Sequence, residues 1–99
     1  MQAIWKFKIE PNDHVQIAMP KGAKILCLQV QNEIPCIWAV CDMSAKREQR
    51  TFNIYGTGHQ HENIDGKYVG TFQLTGGSFV FHVFEVFGIC GVSNSLKEI

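Results

Sequence analysis

The sequence lacks any excess of charge of one sign. Nine basic and nine acidic side chains cancel to a formal net charge of zero over 99 residues. This balance excludes a basic arm for nucleic acids, an acidic disordered tail and a general electrostatic attraction to membranes. Charged residues make up 18% of the chain and hydrophobic residues 45%, which is typical of one small domain with an apolar core.

Long hydrophobic runs are also absent. No stretch approaches the roughly 18 apolar residues that a membrane-spanning helix needs. The most apolar segment, residues 78–92, is interrupted by His82, Glu85 and two glycines. Among the first ten residues, positions 5–10 alternate between apolar and charged side chains, unlike the apolar segment of a signal peptide. We therefore expect a cytoplasmic protein without a membrane segment.

Sequence motifs for catalysis are missing as well. There is no GxSxG elbow, HExxH pair, calcium-binding loop or phosphate-binding glycine loop. The four cysteines, at positions 27, 36, 41 and 90, include no CxxC pair. Three of them lie in apolar runs, where a thiol packs as a small hydrophobic side chain. We therefore expect buried, reduced cysteines in a protein that is not an enzyme and has no cofactor.

Alternation of apolar and polar residues is what the sequence has in abundance. This period of two predicts seven strands, near residues 4–9, 14–19, 24–31, 34–41, 50–55, 67–74 and 78–86. Turn residues separate them, for example Pro11-Asn12-Asp13 and Thr75-Gly76-Gly77. We predict an all-β domain over residues 1–86, either a compact antiparallel sandwich or a partly open barrel. Residues 87–99 are expected to form an extension with a short extra strand and a frayed end.

For three of the strands the sequence also predicts orientation or position in the fold. In the strand at 24–31, Leu26, Leu28 and Val30 are predicted to point inward. The strand at 34–41 is apolar on both faces, which predicts a central position in its sheet. Gly70 interrupts the strand at 67–74 and predicts either a β-bulge or a close approach of another segment.

The segment Gly56-Thr57-Gly58-His59-Gln60-His61-Glu62 is the most distinctive local feature. Two alternating imidazoles could face one ion, with His82 or Glu62 completing a metal site. The alternative is a strand exit, at which glycines allow a sharp turn and the histidines are exposed polar residues. The alternative is the more common arrangement, and we assign no metal ligand.

The strand at 78–86 is apolar on both faces, and apolar residues continue beyond it. A domain of this size buries few such strands completely, so an uncovered one indicates self-association or a protein partner. The alternative is that the strand lies in the centre of its sheet. The candidate interface residues are Phe84, Val86, Phe87 and Ile89.

Several segments together resemble a family of small proteins encoded in bacteriophage and prophage genomes. The similar segments are MPKGAKIL, VQNEIPCIWAVCD, RTFNIYGTGH, KYVGTFQL and GGSFVFHVFE, in this order. The resemblance spans about Ile4 to Glu85. It implies a phage-derived protein that acts in the cytosol of the bacterial host or within a virion, and it transfers no catalytic residue.

The function favoured by these observations is a non-enzymatic binding module that self-associates. It would act on a host protein or hold a small host molecule, as an inhibitor of defence or a host-takeover factor. Aromatic side chains would stack on the ligand and imidazoles would donate hydrogen bonds. The candidate residues for this surface are Trp38, Tyr55, His59, His61 and His82.

Three other functions stay open. One is a minor virion or capsid-decoration protein. Another is a small enzyme that depends on a metal held by the GTGHQH segment or on a cysteine thiol. Nucleic-acid binding would use Lys6 and Lys8 with Trp5 and Tyr55, but the neutral net charge argues against strong contacts with phosphates.

Overall fold

The computed structural model describes residues 1–87, which contain seven strands and one short 3-10 turn but no α-helix. The strands are β1 (Gln2–Lys8), β2 (His14–Pro20), β3 (Lys24–Gln31), β4 (Ile34–Asp42), β5 (Arg47–Gly56), β6 (Lys67–Leu74) and β7 (Phe79–Val86). The predicted all-β fold is confirmed. Within these residues, no helix has the length and apolarity needed to cross a bilayer. The extra strand expected beyond residue 87 lies outside the described residues.

The strands form two antiparallel sheets that do not close into a barrel. One sheet has the order β1-β4-β3 and the other has the order β2-β5-β7-β6. The chain changes sheets between β1 and β2, between β2 and β3, and again between β4 and β5. β4 is the middle strand of its sheet, as its two apolar faces predicted. β7 also lies in the interior of its sheet, because β5 pairs with it on one side and β6 on the other.

Alternate residues of both sheets point into a common core. The side chains of Met19, Ile37, Phe52 and Val83 have no exposed surface. Burying each of these side chains contributes about 1.5–3 kcal/mol to folding. Cys36 and Cys41 are free thiols and buried, as expected, whereas Cys27 is free but half-buried. Cys90 lies outside the described residues. The complete buried cluster is Ile9, Val15, Met19, Ala23, Leu28, Ile37, Ala39, Cys41, Phe52, Ile54, Phe72 and Val83.

β3 departs from the simple alternation that the sequence predicted. Its register with β4 shifts between Ile25 and Cys27, which marks a β-bulge. Leu26 was predicted to point inward, but 49% of it is exposed, whereas Ile25 packs against the core. The extra residue of a bulge reverses the alternation on one side of it, and this is why Leu26 was wrongly placed. Leu28 and Val30 do pack with the core, as predicted.

β5 begins earlier than the apolar pattern indicated. It starts at Arg47, opposite Pro20 of β2, and not near residue 50. Backbone pairing with β2 is independent of side-chain polarity, so the polar residues 47–49 join the strand. Before it, the backbone N–H and the hydroxyl of Ser44 donate to Oδ1 of Asp42, at 3.0 and 2.8 Å. These two hydrogen bonds lower the pKa of Asp42 below its usual value.

Gly70 combines both of the features predicted for it. A register shift between Tyr68 and Gly70 marks a bulge in β6. A Cβ atom at position 70 would also lie 3.0 Å from Cβ of Leu28 in β3. The missing side chain therefore lets the edge strands of the two sheets approach each other closely.

One hairpin connects the sheets through a side chain. Asn32 and Glu33 join β3 to β4 with φ angles of 52° and 63°, as in a type I′ turn. The Glu33 carboxylate accepts a hydrogen bond from the backbone N–H of Thr75, at 3.1 Å. Thr75 belongs to the 3-10 turn between β6 and β7. The turn of one sheet is thus tied to the turn of the other.

Candidate functional site

The outer face of the four-stranded sheet is the candidate site. Arg47 begins β5 on this side of the sheet, but its guanidinium is directed to the Trp5 ring, 5.1 Å from the ring centroid. The site consists of the alternate residues that point away from the core on β2, β6 and β7 and on β5 from Gln49 to Tyr55. We call this set the uncharged face, because it contains no Asp, Glu, Lys or Arg. Its members are His14, Gln16, Ala18, Gln49, Thr51, Asn53, Tyr55, Tyr68, Thr71, Gln73, Val80, His82, Phe84 and Val86.

Aromatic rings occupy the middle of the uncharged face. Phe84 lies in the central strand β7, and its ring contacts Tyr55 on one side and Tyr68 on the other, with centroids 5.7 and 5.5 Å apart. Both contacts are edge-to-face, the geometry that aromatic pairs favour. The His61 ring packs on Tyr55 in the same manner, at 4.6 Å. Tyr68, on the edge strand, is 55% exposed.

A chain of hydrogen bonds fixes the polar groups beside these rings. The hydroxyls of Tyr68 and Thr71 are 2.6 Å apart, and Thr71 Oγ1 is 2.9 Å from Nδ1 of His82. The other ring nitrogen of His82, Nε2, is 2.7 Å from Oγ1 of Thr57. Because both nitrogens have partners, the orientation of the imidazole is determined by the sheet itself.

The glycine–histidine segment forms a strand exit. Gly58 has a φ of 87°, and the backbone N–H of His59 donates to the carbonyl of Gly56 at 3.2 Å. The His59 ring folds back over Gly56, where a Cβ atom would lie 2.8 Å from the ring. His61 leans instead on Tyr55. Within residues 1–87, no group of three or more His, Cys, Asp or Glu side chains is placed to hold a metal ion.

The structure divides the predicted ligand surface. Tyr55 and His82 belong to the uncharged face, and His61 packs on it, whereas His59 folds onto its own turn. Trp38 lies apart, on β4 of the other sheet, beside Lys6 of β1 and Cys27 of β3. The predicted residues therefore do not form one surface.

The residues considered for nucleic-acid binding are also separated. Lys6 and Lys8 alternate with Trp5 along β1, and Tyr55 belongs to the other sheet. Trp5 packs against the core on the inner side, with the Arg47 guanidinium 5.1 Å from its ring centroid. Lys6 and Lys8 share one face of β1, and neither aromatic residue lies on it.

The candidate interface residues are partly on the same face. Phe84 and Val86 belong to the uncharged face, and Phe87 is exposed directly after β7. Ile89 lies outside the described residues. β7 has no free backbone edge, so only its outward side chains can contact a partner.

Sequence reasoning missed Thr57, whose hydroxyl contacts His82 from directly after β5. It also missed Tyr68 and Thr71 of β6 as members of this surface. Their alignment with His82 and Phe84 depends on the pairing register of β6 with β7 and on the bulge before Gly70. Period-two alternation does not specify which strands pair or at which register. The sequence did contain one signal for this surface. β7 carries several outward-pointing residues in alternation, and any strand that pairs with β7 extends the surface they form.

The fold and this face define a small β-sandwich domain with one uncharged aromatic surface. Residues 1–88 match the model of the family described as domain of unknown function (DUF7352), and the chain belongs to that family. No curated protein and no solved structure matches the chain significantly.

Proposed function

We propose that this domain is a non-enzymatic binding module that binds a protein partner through the uncharged face. The observation that carries the proposal is a face that displays three aromatic rings and contains no Asp, Glu, Lys or Arg, since Arg47 at its border directs its guanidinium to Trp5. Interface cores in proteins are enriched in Tyr and Phe and depleted of Lys, Glu and Asp. The outer face of the other sheet carries Lys6, Lys8 and Lys24 and does not have this composition.

The order of the uncharged face supports binding. The Tyr68–Thr71–His82–Thr57 hydrogen bonds and the ring contacts of Phe84 restrain side chains before any partner arrives. Binding through restrained side chains loses less conformational entropy, which favours affinity. Exposed hydroxyl and imidazole groups supply hydrogen bonds around an apolar centre.

A host bacterial protein is the partner that the resemblance to phage-encoded proteins favours. In that setting the module would inhibit host defence or assist takeover of the host. Self-association would use the same surface, since Phe84 and Val86 belong to it. An uncharged face does not repel a second copy of itself, so its composition is compatible with a symmetric pair.

A matched pair of variants tests the proposal. Tyr68→Arg places a charge on the uncharged face, and Ile4→Arg places one on the outer face of the other sheet. Tyr68 and Ile4 both lie on edge strands and are 55% and 61% exposed, so both variants are expected to fold. Sedimentation velocity reports self-association, and affinity capture from lysate of a bacterial host reports a protein partner.

The wild type and Ile4→Arg are expected to show the same dimer or to retain the same captured protein, and Tyr68→Arg is expected to lose it. The proposal fails if Tyr68→Arg behaves like the wild type. It also fails if the wild type is monomeric and captures nothing beyond what Tyr68→Arg captures.

A further inference from the structure

A cavity of about 580 Å³ opens at one end of the sandwich, between the two sheets. It lies where the connection from β1 to β2 and the β3–β4 hairpin meet β5, β6 and β7. Its buried floor is formed by Ile9, Ile54 and Phe72. Its volume falls within the range of small-molecule sites in proteins, about 300–1,000 Å³. We call it the end cavity.

The apolar wall of the end cavity comes from the inward residues of the four-stranded sheet. Phe72 and Phe81 face each other across β6 and β7 with ring centroids 5.4 Å apart. Residues that alternate with these two, such as Thr71 and His82, belong to the uncharged face. The end cavity and the uncharged face therefore lie on opposite sides of the same sheet.

The rim of the end cavity is predominantly acidic. Glu10, Asp13 and Glu33 line it, and Lys8 is the one basic residue among its lining residues. The hydrogen bond to Thr75 holds the Glu33 carboxylate beside the opening. Within residues 1–87, the Arg50–Glu85 pair is the only salt bridge, so none of these three carboxylates is in direct contact with a cationic side chain.

We propose that the end cavity binds a small hydrophobic ammonium compound. Its apolar body would replace contact with water by contact with Ile54, Phe72 and Phe81, and its ammonium group would remain at the rim near Glu10 and Asp13. The rim favours a cation over a neutral or anionic compound of the same shape. This site goes beyond the proposed function and uses none of the residues of the uncharged face.

Three compounds that share one apolar body test the proposal: phenylbutylamine, phenylbutanol and phenylbutyrate. Each is titrated into the isotopically labelled full chain, and binding is followed by amide chemical shifts. The amine is expected to bind most tightly and the carboxylate most weakly. The shifts are expected at Ile9, Ile54 and Phe72, which line the end cavity.

Isosteric variants test the contribution of the rim. The double variant Glu10→Gln/Asp13→Asn is expected to weaken amine binding by about three- to tenfold, the range for two exposed charge pairs, and to leave phenylbutanol binding unchanged. Glu62→Gln is the matched control, because Glu62 is exposed and does not line the cavity. It is expected to bind all three compounds as the wild type does.

Several results would overturn the proposal. One is equal affinity for the three compounds, and another is the absence of saturable binding by the amine. A third is a set of shifts confined to the uncharged face. None of these results affects the assay with Tyr68→Arg, so failure of this inference is distinguishable from failure of the proposed function.

Discussion

Arg50 and Glu85 form an ion pair with two hydrogen bonds on the inner side of the four-stranded sheet. Nε of Arg50 donates to Oε2 of Glu85 at 2.6 Å, and Nη2 donates to Oε1 at 2.9 Å. The side chains are only 14% and 5% exposed. Nη1 of Arg50 also donates to the carbonyl of Ala23, which ties the connection before β3 to β5. Hydrogen bonding to Glu85 raises the pKa of Arg50, which therefore stays charged.

Removing one member of this pair is expected to destabilise the fold strongly. Glu85→Ala leaves the Arg50 guanidinium in a largely buried place without its partner, at a cost of about 3 kcal/mol. The double variant Arg50→Met/Glu85→Leu removes both charges and is expected to recover most of that loss. Urea denaturation of Glu85→Ala, of the single variants Arg50→Met and Glu85→Leu, and of the double variant measures these changes. Additive losses in the double variant would contradict this account of the pair.

Adding a methyl group at position 70 is expected to strain the contact between β3 and β6. In Gly70→Ala the new Cβ meets Cβ and Cδ2 of Leu28 at 3.0 and 3.1 Å. Overpacking of this kind costs about 1–3 kcal/mol. A Leu28→Ala background removes the contact with Cδ2 and keeps the contact with Cβ, so the cost of the same change is expected to fall in part. Thermal unfolding of the four proteins checks this coupling, and a stabilised Gly70→Ala protein would refute the close approach.

Glu33 is expected to show two opposing effects when it is replaced. Its φ of 63° is unfavourable for a residue with a side chain, but its carboxylate accepts the Thr75 N–H. Both Glu33→Ala and Glu33→Gly lose the hydrogen bond, and only Glu33→Gly relieves the backbone. The glycine variant is therefore expected to be more stable than the alanine variant by about 1 kcal/mol. Equal urea midpoints for the two variants would contradict the left-handed turn.

The Asp42–Ser44 turn is expected to make stability depend on acid pH. The folded-state pKa of Asp42 is lowered by the backbone N–H and hydroxyl of Ser44, so this carboxylate stabilises the fold above pH 3.8, its ordinary value. The contribution is lost as the pH falls through the folded-state pKa. In Ser44→Ala the pKa of Asp42 is expected to rise towards its ordinary value, as followed by NMR of the carboxyl carbon. The urea midpoints of wild type and variant are expected to differ at neutral pH and to converge in acid. Urea midpoints that differ by the same amount at neutral and at acid pH would contradict this role of the Asp42 carboxylate.

The fold could be predicted from the sequence because strand identity depends on local pattern. In β7, simple alternation puts Phe81 and Val83 on one face and His82 and Phe84 on the other, and this is the arrangement in the structure. Two apolar faces correctly placed β4 at the centre of its sheet. In β3 the same reasoning placed Leu26 wrongly, because the bulge arises from pairing with β4 and not from β3 alone.

The candidate site was less predictable, because it depends on which strands are neighbours. Tyr55, Tyr68 and Phe84 come from three strands, and only the order β5-β7-β6 brings their rings together. Trp38 has the same residue chemistry, but it belongs to a strand of the other sheet. The residue types indicated that a binding surface exists. Which residues belong to it follows only from the order of the strands in the sheet.

The position of β7 has a consequence for how the protein is made. β7 is inserted between β5 and β6, both of which precede it in the chain, and β6 has no other hydrogen-bonded neighbour in its sheet. While the ribosome still holds β7, β6 can pair with nothing in its native register. The four-stranded sheet therefore forms only after β7 emerges, in a step that joins segments distant in sequence and is correspondingly slow. Until then the apolar side chains of Ile54 and Phe72 are exposed to the crowded interior of the cell, where they are open to chaperones.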